Sequence, residues 1–379
     1  MTMTKICPFR LDVPAADLAD LDERLKRTRW PDLEAGANWS TGMSVEILKQ
    51  VHDHWVTRYD WKKQEAWINS FPQFVASIDG LDIHFFHIKA KDGNGRPLLL
   101  LHGWPGSQIE FLGLVDALTG GTDPENARAQ QYDLVIPAIP GFGFGGKPTE
   151  PGWGPTRIAA AFASLMTKVL GYETFDIQGG DWGTIIGRRI ALNFADRVRS
   201  LHVNMPYAFP PEGEVPPDYW ATFQLTGMGY FTLQATRPDS LSIGNSDSPM
   251  GLAGWILEKF AAWSDSDAGL LDAFDIDTLV TNLMFYWLPN SAASSARVYL
   301  EMASEGFPPF GGGKVQVPTA IAAFAREPYR APREWLEDLY TIERWTEYPE
   351  GGHFPSLERP RLLLDDLTAF HAKLPSPSD

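Results

Sequence analysis

One aspartate stands where a tight turn would present it to a substrate. Asp181 lies between Gly179 and Gly183, after an apolar run ending at Ile177 and before a stretch with helical character. Strand, glycine-flanked residue and helix is the arrangement that displays a serine nucleophile in the pattern G-x-S-x-G. Side chains at the flanking positions would clash in so tight a turn, so glycine is expected there.

The carboxylate of Asp181 changes the chemistry that such a turn can perform. A serine that attacks a saturated carbon forms an ether, which water does not cleave, whereas an aspartate forms an alkyl ester that water can hydrolyse. The residue type therefore indicates displacement at an sp³ carbon. The alternative is ordinary turn chemistry, because glycine and aspartate both tolerate strained backbone.

A nucleophile of this kind needs a base and a group that orients the base, and the usual chain order is nucleophile, acid, histidine. His353 lies in a glycine-flanked loop after a predicted strand, and we predict it to be the base. His371, inside the last predicted helix, is interpreted as a surface or packing residue. Glu327 follows the strand predicted over 319–325 and is predicted to orient His353.

Other roles for the acidic residues of this region stay open. Asp338 is placed on the helix predicted from residue 332, where it would face solvent. Glu327 itself has an alternative role as a simple loop charge paired with Arg326 or Arg330. The order of the motifs favours Glu327 as the partner of His353.

Backbone donors are expected opposite the aspartate. Residues 102–107, HGWPGS, follow a short apolar strand and open a helix. In this position the N–H of Trp104 would face the N–H of Trp182, and two such donors could hold an oxyanion while water attacks an ester. Trp104, Pro105 and Trp182 are also the predicted substrate contacts. The alternative is a helix N-terminal turn that is merely rich in Gly and Pro.

Composition limits the partners. The 379 residues are 44% hydrophobic, which is ample for two domains or for one α/β core with an insertion. The net charge of −16 argues against nucleic acid and against an anionic membrane surface. Cys7 is the single cysteine, so a disulfide framework and a cysteine metal cluster are excluded. No span approaches the length of a membrane helix, and we expect a cytoplasmic protein without a membrane anchor.

The hydrophobic period predicts the order of the elements. Amphipathic helices over 14–29 and 44–59 precede a hairpin whose strands, 73–78 and 81–89, flank Asp79-Gly80. Beyond residue 97 short apolar strands alternate with helices, which predicts a parallel sheet. The later strands are predicted over 98–101, 132–136, 174–177, 200–203, 319–325 and 342–348, and the later core helices over 107–118, 156–170, 184–192, from 332, and over 360–374.

A proline-rich stretch, 206–217, breaks this alternation. The helical segments that follow, predicted over 252–263, 278–287 and 291–302, carry no strand signal. A sheet interrupted by a helical cap, with the glycine-flanked residue before the cap, is the α/β-hydrolase arrangement. We expect four parts, namely an N-terminal region (1–95), a first core part (96–205), the cap (206–316) and a second core part (317–379).

Three patterns that resemble ligand sites are better explained otherwise. His52 and His54 point apart on a helix, where solvated polar roles are expected, and His84 and His87 face opposite sides of a strand. The glycine-rich segment 141–148 lacks the Ser or Thr that a phosphate-binding loop needs after its lysine, and a flexible loop near the mouth of the site is expected. We predict no metal and no cofactor.

Several separate motifs, in the same order, resemble those of the microsomal-type epoxide hydrolases, including the juvenile-hormone members. Residues 102–107, 179–183 and 351–354 are similar to that family's oxyanion, nucleophile and histidine motifs, and residues 28–31 and 69–74 are similar to its N-terminal region. The resemblance implies an α/β-hydrolase fold and the conversion of an epoxide to a vicinal diol. It also implies a covalent alkyl ester on Asp181, hydrolysed by water that His353 activates.

The resemblance further implies two cap tyrosines that hydrogen-bond the epoxide oxygen. By motif these correspond to Tyr230 and Tyr299. Ring opening develops an alkoxide, and a phenol with a pKa of about 10 can donate a hydrogen bond to it and then protonate it. Tyr286 is a rival, although its apolar neighbours favour a place in the core.

The predicted partner is a small epoxide, and a homodimer is left open. The aromatic residues of the cap favour a bulky apolar or aromatic substrate. They are Tyr219, Trp220, Phe223, Tyr230, Phe231, Trp255, Trp263, Phe285 and Trp287. A haloalkane dehalogenase, which shares the aspartate but needs halide donors, and a non-catalytic ligand-binding protein of the same fold are the alternatives.

Overall fold

A mixed sheet organises the chain. The computed structural model describes residues 5–32, 39–121, 130–267, 269–306 and 312–374. Its strands are β1 (Ile6–Phe9), β2 (Gln73–Ile78), β3 (Leu81–Ile88), β4 (Arg96–Leu101), β5 (Tyr132–Pro137), β6 (Phe175–Gly179), β7 (Val198–Val203), β8 (Val315–Phe324) and β9 (Tyr340–Tyr348). They form one sheet in the order β1-β2-β3-β5-β4-β6-β7-β8-β9. Pairing is antiparallel from β1 to β5 and parallel from β5 to β9.

The helices cover the sheet and fill the segment between β7 and β8. They are α1 (Ala15–Lys26), α2 (Val45–Thr57), α3 (Trp61–Ile68), α4 (Ile109–Leu112), α5 (Val115–Leu118), α6 (Pro155–Ser164), α7 (Trp182–Asn193), α8 (Asp218–Thr222), α9 (Gly229–Thr236), α10 (Pro238–Asp247), α11 (Pro249–Trp263), α12 (Leu270–Ala273), α13 (Ile276–Trp287), α14 (Ala292–Ser304), α15 (Arg333–Leu336), α16 (Pro355–Glu358) and α17 (Pro360–His371). A 3₁₀ turn (Trp39–Thr41) and two π-helical turns (Leu165–Val169 and Phe223–Gly227) complete them. Helices α8 to α14 thus form the predicted helical insertion.

The central strands are buried on both faces, as parallel strands covered by helices must be. Every residue of β5 and β6 is buried, and so are Leu98–Leu101 of β4. The carboxyl ends of β4, β6, β8 and β9 share one edge of the sheet because these strands run in the same direction. The turns that follow these strands therefore meet at that edge.

Several local predictions differ from the structure: β1 and α8 to α10 were not predicted, and the helix predicted from residue 332 is only the four residues of α15. The helix predicted over 107–118 is two short helices, α4 and α5, because Gly113 lies between them and glycine weakens a helix. Helix α3 was not predicted, although Asp60 caps it by accepting a hydrogen bond from the Lys63 N–H at 3.2 Å. Its buried Glu65 accepts a hydrogen bond from the Val13 N–H at 2.7 Å, which ties α3 to the N-terminal segment.

The expectation that His52 and His54 are solvated is wrong. Both are half-buried because α2 packs against α1 and α13. His52 Nε2 lies 3.0 Å from the carbonyl oxygen of Leu25, and His54 Nε2 lies 2.6 Å from Asp277 Oδ1. Within the described residues, no group of three or more His, Cys, Asp and Glu side chains is placed to share a metal ion.

The glycine-rich segment is packed rather than placed at an open mouth. The Ser294 hydroxyl donates to the carbonyl oxygen of Gly141 at 2.6 Å, which holds the segment on α14. Phe142 is buried against the ring of Tyr286. Along the described parts of the chain, no helix is long and apolar enough to cross a bilayer.

Candidate active site

The turn between β6 and α7 holds Asp181 in a backbone conformation that side chains rarely adopt. Its φ is 51°, in the left-handed region. A Cβ at Gly183 would lie 2.0 Å from the carbonyl oxygen of Leu101, and one at Gly179 would lie 2.6 Å from the backbone of Gly183. Only glycine fits at either flank, which is the steric reason that the sequence suggested.

Two backbone N–H groups hydrogen-bond the Asp181 carboxylate. The Trp104 N–H donates to Asp181 Oδ1 at 2.8 Å, and the Trp182 N–H also hydrogen-bonds the carboxylate. A Cβ at Gly103 would lie 2.3 Å from Asp181 Oδ1, so glycine there lets the turn after β4 approach the carboxylate. The two turns thus aim two N–H groups at one negative group.

His353 lies between two carboxylates. Its Nδ1 is 2.9 Å from Glu327 Oε2 and 3.1 Å from Glu327 Oε1, and its Nε2 is 3.7 Å from Asp181 Oδ2. The His353 N–H donates to the carbonyl oxygen of Trp263 at 2.8 Å, which anchors the loop after β9 to α11. With Nδ1–H donating to Glu327, the other ring nitrogen, Nε2, faces Asp181.

The other acidic and basic residues of this region point elsewhere. Arg326 Nε lies 3.5 Å from Asp265 Oδ1, and Arg330 Nη1 donates to the carbonyl oxygen of Ala325 at 2.5 Å. Asp338 is exposed as expected, but it lies in the turn before β9 because α15 ends at Leu336. Glu327 is 3% exposed and contacts His353.

The electrostatics of the three groups are coupled. Burial raises the pKa of Asp181 above its usual range, although His353 and the two amide donors oppose this. Burial alone would lower the pKa of His353, but the carboxylates of Glu327 and Asp181 raise it to about 9. The arrangement therefore favours a charged imidazolium while Asp181 carries its charge.

Tyr230 of α9 and Tyr299 of α14 lie above the two tryptophans. The ring of Tyr230 stacks on Trp104 with a centroid distance of 5.2 Å and an interplanar angle of 6°, and Tyr299 meets Trp182 edge to face at 4.7 Å. Burial and the Asp181 charge raise the pKa of both phenols well above the usual value, so both remain hydrogen-bond donors at neutral pH.

The hydroxyl groups of Tyr299 and Tyr286 differ in their hydrogen bonds. Tyr299 Oη has no hydrogen bond of ordinary geometry to any residue that the structure describes. The Tyr286 hydroxyl donates to the carbonyl oxygen of Gly106 at 2.6 Å and is fully engaged in the core. Tyr286 therefore lies in the core, as its apolar neighbours in the sequence predicted.

Two cavities meet at the Asp181–His353 pair. The larger has a volume of about 410 Å³ and a mostly apolar lining that includes Trp182, Tyr230 and Tyr299. The smaller, of about 20 Å³, lies at the turn after β4 and has a lining of both polar and apolar residues. Asp181 and His353 line both cavities.

The predicted substrate contacts are divided between these spaces. Trp182 lines the larger cavity and Trp104 lines the smaller one. Pro105 lines neither, and its carbonyl oxygen accepts a hydrogen bond from Asn282 Nδ2 at 2.9 Å. Its part as a substrate contact stays a prediction without support from this geometry.

Four polar residues at the smaller cavity were not predicted from the sequence, namely Glu110, Gln178, Asn204 and Ser356. Glu110 lies in the first turn of α4, and Gln178 lies three residues before Asp181. Glu110 shows a weak signal, since it is the first acidic residue after that turn. Gln178 shows none, because a polar residue inside an apolar strand reveals no partner until the strands are assembled.

The fold and the site together define a class of protein. A mostly parallel sheet, a carboxylate on the turn after β6, an acid after β8, a histidine after β9 and a helical insertion between β7 and β8 are those of an α/β-hydrolase. A family profile described as the alpha/beta hydrolase fold matches residues 96–360. A second profile, described as the epoxide hydrolase N terminus, matches residues 6–111.

Similarity to individual proteins shows which family of α/β-hydrolases the chain belongs to. A protein of Stigmatella aurantiaca is 41% identical over 372 residues, which make up 96% of this chain and 84% of that protein. Epoxide hydrolase 1 of Oryctolagus cuniculus is 34% identical over 96% of this chain and 88% of its own length. The crystal structure of juvenile hormone epoxide hydrolase from the silkworm Bombyx mori has a TM-score of 0.88 at 31% identity, and the match covers 98% of this chain and 95% of that one. The chain belongs to the epoxide hydrolase family, as its motifs predicted.

Proposed function

We propose that this protein converts an epoxide to a vicinal diol through a covalent alkyl ester on Asp181. The observation that carries the proposal is that a carboxylate held by backbone N–H groups and two phenols line one mostly apolar cavity. A nucleophile and two acids that face each other across the space for a strained ether are what ring opening requires.

In the first half of the reaction, a carboxylate oxygen of Asp181 attacks an epoxide carbon. The carbon–oxygen bond of the ring breaks, and the departing oxygen takes a hydrogen bond and then a proton from Tyr230 or Tyr299. Their raised pKa values keep both phenols protonated until an alkoxide, which is far more basic, is present. The product of this step is the alkyl ester.

In the second half, water attacks Cγ of Asp181 and gives its proton to His353 Nε2. The Trp104 and Trp182 amides hold the oxyanion of the tetrahedral intermediate, and the Glu327 carboxylate stabilises the imidazolium. The Cγ–O bond to the alkyl group then breaks, and the diol leaves with the proton from His353. Asp181 is left as the neutral acid, and its proton returns to the tyrosinate formed in the first half, which restores every group. The chain's own groups and water carry every proton, so this route needs no cofactor.

The large cavity supports a bulky apolar or aromatic epoxide as substrate. Its volume of about 410 Å³ lies within the range of ligand cavities, and its lining is mostly apolar. The side chains away from the catalytic groups include Met205, Phe209, Phe223, Met228, Phe231 and Met302. A cytoplasmic location and a homodimer remain predictions.

The two phenols favour this proposal over the alternatives. A departing halide needs donors but takes no proton, whereas an epoxide oxygen needs both. Tyr299 Oη, buried and without an ordinary hydrogen bond among the described residues, faces the cavity as a donor would. Halide release from a chloroalkane would favour the dehalogenase, and tight epoxide binding without turnover would favour a binding protein.

Isotope labelling tests the covalent route. With enzyme in excess over styrene oxide in H₂¹⁸O, a single turnover should leave the label in the peptide that contains Asp181 and yield unlabelled diol. Direct attack of water on the epoxide would instead place the label in the diol. That outcome would overturn the proposal while leaving the family assignment intact.

A histidine variant tests the second half. His353→Gln should form the ester and fail to hydrolyse it, so that intact mass rises by the mass of the epoxide. His371→Gln is the control, since it changes a buried histidine on the far side of the sheet. The control should turn over without accumulating ester.

A further inference from the structure

The smaller cavity has the size and polarity of a site for one water molecule. Its volume of about 20 Å³ exceeds the space that one water needs, and its lining contains Glu110, Gln178 and Ser356 as well as Asp181 and His353. A buried water needs two to four polar partners, and these residues can supply them. The larger cavity, which shares Asp181 and His353 with the smaller one, is mostly apolar.

Gln178 points an unused acceptor into this region. Its Nε2 donates to Asn204 Oδ1 at 3.2 Å, whereas its Oε1 is buried without a hydrogen-bond partner among the residues described. A buried acceptor left in this way costs free energy, unless something at the cavity donates to it. Both Gln178 and Asn204 line the cavity.

The Glu110 side chain packs against Gly106, in the turn whose Trp104 N–H hydrogen-bonds Asp181. A Cβ at Gly106 would lie 1.6 Å from Glu110 Oε1, so the carboxyl group occupies the space that the glycine leaves. The Ser356 side chain and the Ser107 backbone hydrogen-bond it, which fixes its direction. Glu110 therefore lines the same small cavity as Asp181 and His353.

We propose that the smaller cavity holds the water that hydrolyses the ester, and that Glu110 positions this water for His353 by accepting a hydrogen bond from it. The inference rests on the proposed function, because it concerns only the second half of that reaction. One proton of the water points to His353 Nε2 and the other to Glu110, which leaves an oxygen lone pair for Asp181 Cγ. The substrate occupies the larger cavity, so water and substrate approach the carboxylate from different cavities.

The charges support the timing of this step. Burial and the Asp181 charge together raise the pKa of Glu110 to about 8, against the effect of His353. Ester formation removes the Asp181 charge and so favours the ionised form of Glu110. An ionised carboxylate accepts a stronger hydrogen bond than a neutral one, and this acceptor becomes available when the ester awaits water.

Glu358 is the matched comparison for Glu110. It is a buried carboxyl that also influences the pKa of His353, but it lines neither cavity. Its oxygens accept hydrogen bonds from the Phe354 N–H at 2.9 Å and the Asp265 N–H at 2.7 Å, so its contacts are structural. Substituting each glutamate with glutamine separates the loss of a charge from the loss of a water contact.

The test is pre-steady-state kinetics of Glu110→Gln with styrene oxide. The amount of ester in quenched samples is measured by intact-protein mass spectrometry. Ester formation should keep its rate within about twofold, and ester hydrolysis should slow by about tenfold or more, the size of one lost hydrogen bond to a charged group. When hydrolysis limits turnover, kcat and KM should fall by the same factor, leaving kcat/KM unchanged. Glu358→Gln should lower the unfolding temperature without this paired fall.

Two results would overturn the inference. One is ester hydrolysis at the unsubstituted rate in Glu110→Gln, and the other is an equal slowing of both half-reactions. If Glu110→Gln does not fold, Ser356→Ala, which removes one hydrogen bond to Glu110, serves instead. It should slow hydrolysis alone by about threefold, the lower end of one hydrogen bond's contribution, and an unchanged rate would count against Glu110.

Failure of the proposed function would look different. If the unsubstituted protein forms no ester at all, the covalent route fails together with everything that rests on it. If the ester forms and Glu110→Gln hydrolyses it normally, only the position of the water is wrong.

Discussion

Two buried Asp–His pairs lie at opposite ends of β6 and behave in opposite ways. Asp181 follows the strand, and its Oδ2 is 3.7 Å from His353 Nε2. Asp176 is the second residue of the strand, and its Oδ1 is 3.9 Å from His371 Nε2. The residue types and distances are nearly the same, so the surroundings must make the difference.

Arginines neutralise the first end of the strand. Arg96 donates to both Asp176 oxygens, at 2.5 Å from Nε and 2.8 Å from Nη2, and Arg199 Nη2 donates at 2.6 Å. Burial alone would raise the pKa of Asp176, but the Arg96 and Arg199 guanidinium groups hold it below its usual range. Burial and those cations lower the pKa of His371 to about 3, so this histidine is neutral.

No arginine or lysine is among the groups that set the pKa of Asp181. Two amides and His353 oppose the burial that raises it. Asp181 also lines two cavities, whereas Asp176 lines neither. Two arginines thus make the buried Asp176 carboxylate a structural anchor. Neutral donors and a titratable histidine leave the charge of Asp181 available for reaction.

The largest expected contrast is in activity. Asp181→Asn removes the nucleophile and should lower diol formation by at least about a thousandfold. Asp176→Asn, the same change at the other end of β6, should leave activity of the folded protein within about tenfold, since it touches no reacting atom. Rates of diol formation at equal concentrations of folded protein measure both. Equal losses would break the distinction between the two pairs.

Stability should show the reverse order. Asp176→Asn leaves Arg96 and Arg199 without their counterion and should lower the free energy of unfolding by about 3–5 kcal/mol. Asp181→Asn removes a carboxylate that burial disfavours and should change it by less than about 2 kcal/mol. Urea unfolding at pH 7 gives both values. A larger loss for Asp181→Asn would show that the carboxylate at the active site also anchors the fold.

The two Asp–His pairs also differ in the expected role of the tyrosines near them. Tyr132 Oη lies 2.9 Å from His371 Nδ1, as Tyr230 and Tyr299 lie over the other pair. Tyr299→Phe and Tyr230→Phe should each slow ester formation by about a hundredfold, because each removes a proton donor to the departing oxygen. Tyr132→Phe should leave that rate unchanged. The measurement is the single-turnover rate of ester formation, and an unchanged rate in both cap variants would remove the phenols from the mechanism.

The smallest effect concerns pH. Ester formation removes the Asp181 charge, one cause of the His353 pKa of about 9, so the pKa in the ester lies below about 9. Hydrolysis needs neutral His353, and kcat should therefore rise with pH up to a midpoint below that value. Glu327→Gln removes the charge that raises this pKa most and should move the midpoint to lower pH. In His371→Gln the midpoint should stay, and a shift there would link the two pairs.

Much of the arrangement could be predicted because it depends on local patterns. Alternation of apolar strands and helices predicted the parallel sheet, and the absence of strand signals after residue 206 predicted the helical insertion. Gly179 and Gly183 marked the turn because no other residue fits beside β4. The late position of His353 followed from chain order alone.

Other features could not be predicted because they depend on contacts between distant segments. His371 was left as either a surface or a packing residue, and its burial follows from Tyr132 and Ser200, which lie more than 170 positions away in the chain. The solvated role expected for His54 was wrong, since its partner Asp277 lies on α13. Glu110 and Gln178 meet at one cavity only when the turn after β4 comes to lie beside β6.

By itself the sequence predicted the type of chemistry, since a carboxylate on a glycine-flanked turn is suited to attack on carbon, with an ester that water can cleave as the product. It also determined the fold class, because hydrophobic periodicity specifies which faces are buried. Only the tertiary structure decided how the charges behave. Asp176 and Asp181 differ because folding brings two arginines to one end of β6 and two amides and a histidine to the other, and the pKa of a buried group is set by its neighbours in space.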